Sequence, residues 1–327
     1  MRLIKPSFEI WEQGPSQKDI LKHVERCGRI CYASLDKITD DSYQKFVDKI
    51  RKNGHLSVME HGTVYMTYFG LYENNMRDLL NKYKNNPYSK VDWYIDKNNN
   101  ISLYMTTNLR VLLENGWKGE NICAPTEHHH RRVSVHIICD RGILGEITRH
   151  RHFSFSVQST RYCNYTKDKF GNELTFIIPD IYQKDLIEGE YKPYGCAYIV
   201  VGDNDDGIVY ATYQDDIRDD FFKWLDAMFH AQIKYHSMIS HETKPEYARN
   251  VLPLSLATEL VMTGFIEDWE HFFELRTSPR AHPQMREIAI PLKKEFIKRG
   301  YIKDDSRGTK AVERGVGKLD DSGCKTV

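Results

Sequence analysis

The nine residues RVSVHIICD, Arg132–Asp140, put Val133, Val135, Ile137 and Cys139 at every second position, and GILGEITRH follows without a linker. The first run has the period of a strand with one buried face; the second has the length of a short helix. A chain that turns from strand to helix with no spacer must pack helices on a sheet, so the fold is mixed. Both periods recur elsewhere. SQKDILKHVERCGRI sets apolar residues at 20, 21, 24, 27 and 30 behind Ser16, a good helix cap, and DDSYQKFVDKIRKNG is a second helix stopped by Gly54. HLSVMEHGTVYMTYFG leads into a strand with Val64, Met66 and Tyr68 on one side, and FGNELTFIIPD predicts another strand, closed by Pro179. Residues 211–240 have the spacing of a long helix, and YARNVLPLSLATELVMTG, DWEHFFELRT and PQMREIAIPLKKEFIKRG read as three more.

The expected class is therefore α+β, a single large mixed α/β domain over residues 1–301. Residues 71–131, rich in Asn, Lys and Tyr, read as a surface insertion containing a strand (ISLYMTT) and a helix near NLRVLLENG. The charged, Gly-rich tail 302–327 reads as disordered.

Lys+Arg and Asp+Glu both number 46, so no global field exists to hold nucleic acid or an acidic membrane. No apolar run approaches the roughly 20 residues that span a bilayer. The first residues, MRLIKPSFEIWEQG, lack the apolar core of a signal peptide, and the seven cysteines include no C-x-x-C pair. The expectation is a cytoplasmic protein with reduced, mostly buried thiols and no metal.

Against that neutral background RHRHFSFSVQSTRY, Arg149–Tyr162, collects three arginines, two histidines and three serines. A guanidinium fork matches phosphate oxygens, and small polar residues let a backbone approach a ligand, so one loop holding a nucleotide is the natural reading. Helix capping and surface ion pairs are the alternative. Ser159 lacks the G-x-S-x-G elbow of a nucleophile. His55, Ser57, Glu60 and His61 have no recognised metal spacing, and His128–His130 diverge as neighbours do, which suits a solvated strand start. Later, Arg249, His271 and Arg276 stand beside the anchoring stripe Trp269, Phe272, Phe273.

Taken together these segments resemble the flavin-dependent thymidylate synthases. Arg149-His150-Arg151, seven residues, then Ser159 is that family's signature, continued by STRY; HLSVMEH, ARNVLPLSL and HFFELR agree in order, over roughly residues 15–300. The resemblance implies methylation of dUMP to dTMP, with methylenetetrahydrofolate as carbon donor, FAD as hydride carrier and NADPH as reductant. It also implies a homotetramer with active sites between subunits. On this likeness Ser57, Glu60, Arg149, His150, Arg151 and His271 serve FAD. Glu146, Arg149, Gln158, Ser159, Thr160, Arg161, Arg249 and Arg276 serve dUMP, with Arg276 catalytic. Gln158 with Val157 stands where many members have a glutamate nearby, Glu146 where many have glutamine, and the turn Gly264–Glu267 lacks the Asn and Arg of some members. A different flavin- or nucleotide-dependent oxidoreductase would have no use for Arg249 and Arg276, and an RNA-binding protein stacking bases on Phe153, Phe155 and Tyr162 would need a wider basic face.

Overall fold

The computed structural model describes residues 1–70, 73–97, 100–183, 189–194, 197–202, 209–211 and 219–304. In chain order they form β1 (Arg2–Ile4), β2 (Ser7–Trp11), α1 (Gln17–Ile30), α2 (Ser42–Lys52), β3 (Thr63–Tyr68), α3 (Glu73–Lys84), β4 (Lys90–Ile95), β5 (Ile101–Asn108) and α4 (Leu109–Glu114). Then come β6 (Arg132–Asp140), α5 (Arg141–Ile147), β7 (Ser154–Val157), β8 (Thr175–Ile177), β9 (Gly189–Tyr194), β10 (Ala197–Gly202) and β11 (Val209–Ala211). The last elements are α6 (Asp219–Ser240), α7 (Pro245–Ala248), β12 (Ala257–Phe265), α8 (Ile266–Arg276) and α9 (Pro283–Lys298).

The central sheet has the order β2-β6-β12-β7, all antiparallel, with β12 paired to β6 from Ala257↔Asp140 to Phe265↔Arg132. Its two faces are buried for different reasons. Val133, Val135, Ile137, Leu260 and Met262 face α5, α8 and α9, where Trp269, Phe272, Phe273 and Phe296 complete a dry cluster. On the other face Val261 meets Trp11 and the α1 residues Cys27 and Ile30. Beside them runs a buried polar chain: His23 Nε2 to Ser134 Oγ (2.9 Å), Ser134 Oγ to Thr263 Oγ1 (2.7 Å), and Thr263 Oγ1 to His61 Nδ1 (2.7 Å). Burial is the main reason the charged forms of His23 and His61 are disfavoured, so both rings are neutral links.

The expected helices at 16–30 and 40–54 are α1 and α2; Ser16 Oγ accepts from Asp19 N, and Gly54 takes the left-handed φ of +70°. The expected strand at 132–140 is β6, and Asp140 caps α5 by accepting from Ile143 N at 2.7 Å. Correction is needed at YARNVLPLSLATELVMTG. Only Pro245–Ala248 is α-helical there, and Ala257–Phe265 is the inner strand β12. Ala, Leu, Glu and Met favour helix in isolation, and a strand buried on both faces shows no alternation, so pairing on two sides overrides propensity.

The expected strand and helix within 71–131 are β5 and α4. β5 pairs with β3 and β4 in a second sheet, β3-β5-β4, over a cluster that holds Val64, Met66, Tyr83, Leu103 and Met105. The histidine triplet is not a solvated strand start. His129 is buried: Thr126 N donates to its Nδ1 at 3.0 Å, so its Nε2–H faces the Met66 carbonyl at 3.2 Å. The long helix expected from 211 is described from Asp219, and 212–218 lie outside the described residues, as does the tail beyond 304. The cysteines at 27, 31, 123, 139 and 163 are free; Cys196 and Cys324 lie outside the described residues. No helix among the described residues is long and apolar enough to cross a membrane, and no group of His, Cys, Asp and Glu among them could hold a metal.

Candidate functional site

Where α5 ends, Ile147–Phe153 forms two tight turns, with His150 N donating to Ile147 O (3.1 Å) and Phe153 N to His150 O (3.2 Å). These turns lie against the last turns of α8, and a cavity of about 390 Å³ opens between them, lined by Arg149, His150, Arg151, Phe153, His271 and Arg276. Arg276 is held on three sides. Its Nε donates to His150 Nε2 (2.9 Å), one terminal nitrogen to the Glu146 carboxylate (2.9 Å), and the other to the Glu146 carbonyl (3.0 Å). A guanidinium has five N–H groups, so two remain for a ligand.

Burial, then the neighbouring Arg276 and His271, push the His150 pKa down to about 4. His150 is thus a neutral acceptor toward Arg276, and its ring is fixed edge-on to Phe272 at 5.0 Å. The Arg149 and Arg151 side chains are exposed and have no partner among the described residues. The cavity therefore combines one immobilised guanidinium, two free ones and an aromatic floor, a donor set for an anionic ligand with a flat ring.

The rest of the motif does not continue this pocket. Ser154–Val157 is strand β7, paired to β12 from Thr263↔Ser154 to Leu260↔Val157. The motif expected to be one loop is therefore interrupted by a strand, whose four residues at about 3.3 Å each separate its two ends by roughly 13 Å. The alternation of Ser154 and Ser156 with Phe155 and Val157 was the signal for it. Beyond the strand, Ser159 N donates to Cys31 O (3.1 Å), Arg161 N to Ser159 Oγ (3.3 Å), and Arg249 to Thr160 Oγ1 (3.4 Å). A larger cavity of about 660 Å³, lined by Gln158, Tyr165, Lys169 and Glu259, lies at this end.

A third group sits on the 3-10 turn Leu56–His61, which packs on β7. Ser57 is exposed, Glu60 pairs with Arg110 at 2.5 Å, and Arg132 ties the turn to β7 by donating to Glu60 O (2.9 Å) and Ser154 Oγ (3.2 Å). So Glu146, Arg149, His150, Arg151, His271 and Arg276 converge in one place, and Gln158, Ser159, Thr160, Arg161 and Arg249 in another. Asp268 and Leu275 were missed from sequence, and Phe153 was read there only as a base-stacking ring, although all three line the first cavity. For Asp268 the cue was its place in the first turn of α8, where it accepts from Phe265 N at 3.2 Å.

Residues 123–299, more than half of the chain, match the model of a protein family described as thymidylate synthase complementing protein. Relatives include the flavin-dependent thymidylate synthases of Pyrococcus furiosus, 27% identical over 50% of this chain and 54% of that protein, and of Synechocystis, 26% identical over 51% and 66%. The chain spans about half the length of the Pyrococcus relative that it matches. Among solved structures it is similar to a UMP/dUMP methylase PolB from Streptomyces cacaoi bound with 5-Br UMP, at 16% identity, 91% and 92% coverage and a TM-score of 0.41, too loose a likeness to bear on function.

Proposed function

Because the chain belongs to the thymidylate synthase complementing protein family, we propose that it is a flavin-dependent thymidylate synthase, methylating dUMP to dTMP with methylenetetrahydrofolate, FAD and NADPH. The observation that carries this reading is the cavity between the Ile147–Phe153 turns and α8. Its free arginines, Arg149 and Arg151, suit the diphosphate of FAD, and His150, His271, Phe153 and Leu275 offer flat and apolar surface to a ring. At about 390 Å³ it is near the lower end of small-molecule sites, so it takes part of a dinucleotide, with Ser57 and Glu60 serving the rest. Bound flavin supplies the hydride chemistry.

The protein's own residues bind and polarise. Arg276, immobilised by Glu146 and His150, turns its two uncommitted N–H groups toward the N3 edge of uracil, where they stabilise charge developing as C5 becomes nucleophilic. Ser159, Arg161, Arg249 and the backbone of Gln158–Arg161 hold the phosphate; Ser159 is a positioning hydroxyl and attacks nothing. The two dUMP groups stand at opposite ends of β7 in one chain, which supports a homotetramer whose sites are completed by a second copy. Residues 1–301 are one domain with 71–131 inserted, working in the cytoplasm, where the free cysteines of the described residues stay reduced.

The test is a visible absorption spectrum of the purified protein with FAD, before and after anaerobic NADPH, followed by product analysis with dUMP and methylenetetrahydrofolate. A flavin band that bleaches, followed by dTMP, is expected. The absence of bound flavin after incubation with FAD would overturn the reading.

A further inference from the structure

His130 belongs to neither group of site residues, yet it joins the second sheet to the helix that bears His271 and Arg276. Its Nδ1 meets Glu267 Oε1 at 2.5 Å, and its Nε2 meets Asp92 Oδ2 on β4 at 3.4 Å. Lys90, also on β4, bonds the other Glu267 oxygen at 3.0 Å and lies 4.6 Å from the centre of the Phe265 ring, which Arg132 approaches at 5.6 Å. Glu267 is in the first turn of α8 and His271 is one turn further along the same face. An isolated surface ion pair is worth little, but four alternating charges on three separate segments form a network that resists sliding.

We propose that His130 is a positioning residue: with Lys90 and Asp92 it clamps the first turn of α8 through Glu267, so the β3-β5-β4 sheet sets how tightly the His271–Arg276 cavity holds its flavin. The identity of the ligand rests on the reading above; the clamp does not. The charged groups that meet His130 are Asp92 from β4 and Glu267 from α8, with Lys90 on the other Glu267 oxygen and the neutral neighbour His129 within electrostatic reach. The hydrogen bonds to Asp92 and Glu267 raise the His130 pKa to about 9. A raised value means the clamp is fully made at neutral pH and is lost as pH rises through about 9.

The experiment compares the wild type, His130→Gln and Glu267→Gln by amide hydrogen exchange across Ile266–Arg276 and by FAD titration from pH 7 to 10. Expected are exchange at least tenfold faster in the first turns of α8 in both variants and FAD binding five- to tenfold weaker at pH 7. Wild-type affinity should fall toward the His130→Gln value above pH 9, while that variant stays flat. Unchanged exchange in α8 would overturn the proposal, as would a loss of protection equal across the whole chain, which marks general destabilisation. Faster exchange confined to α8 in both variants, with a wild type that binds no FAD, would uphold the clamp and refute the flavin reading.

Discussion

Gly264 on β12 faces the motif at its most crowded point. A Cβ built there falls 2.4 and 2.5 Å from two ring carbons of Phe153 and 3.2 Å from a third, where carbon pairs rest at about 3.5–4.0 Å. The ring would have to retreat by about 1 Å. It has nowhere to go, being buried, with Trp269 edge-on at 4.8 Å, His150 and Phe155 at 6.3 Å and Phe272 at 6.5 Å. Overpacking of this kind costs about 1–3 kcal/mol, and at about 2–4 °C per kcal/mol for a chain of a few hundred residues Gly264→Ala should lower the Tm by roughly 2–12 °C. Phe153 closes the second of the two turns that carry Arg149 and Arg151, so FAD affinity should fall with it. Calorimetry with and without FAD measures both, and Phe153→Leu in the Gly264→Ala background should recover most of the lost stability. A Gly264→Ala protein within 1 °C of wild type and with unchanged flavin affinity would refute the packing argument.

Arg276→Lys keeps the charge but loses the fork that reaches His150 and Glu146 together, so kcat should drop at least a hundredfold with FAD affinity nearly unchanged, measured by steady-state turnover and flavin titration. Ser159→Ala should weaken dUMP binding and leave measurable turnover; calorimetric binding intact with turnover abolished would remove its positioning role. His150 and His23, with pKa values pushed down to about 4 and about 3, stay unprotonated in the fold where the unfolded chain takes protons. Stability should therefore decline as pH falls below about 6.5 toward 4, and His150→Gln should flatten part of that slope in a pH series of thermal midpoints.

Elements whose faces differ are legible in the sequence: β6 alternates because one face meets α8 and α9, and α1 has a stripe because one side is wet. β12 was misread because both its faces are buried, leaving composition to speak alone, and Ala-Thr-Glu-Leu-Val-Met says helix. β7 was hidden by its own chemistry, since its serines and aromatics, flanked by arginines, resemble a ligand loop. Arg276, His150 and Glu146 could be named from the motif, but their mutual bonds depend on α5 and α8 meeting across 130 residues of chain. His129 looked solvated because nothing in HHH says that Met66 will offer its carbonyl.

β12 touches everything of consequence: Gly264 underlies Phe153, Thr263 bonds both Ser134 and His61, and Glu259 O accepts from Gln158 N at 2.8 Å. An added or deleted residue in a surface turn is absorbed locally, but in this strand it would exchange every inward side chain for its outward neighbour. Drift in chain length is thus free to collect in the connections around α3 and β4, while Ala257–Phe265 can change its letters only one at a time and never its count.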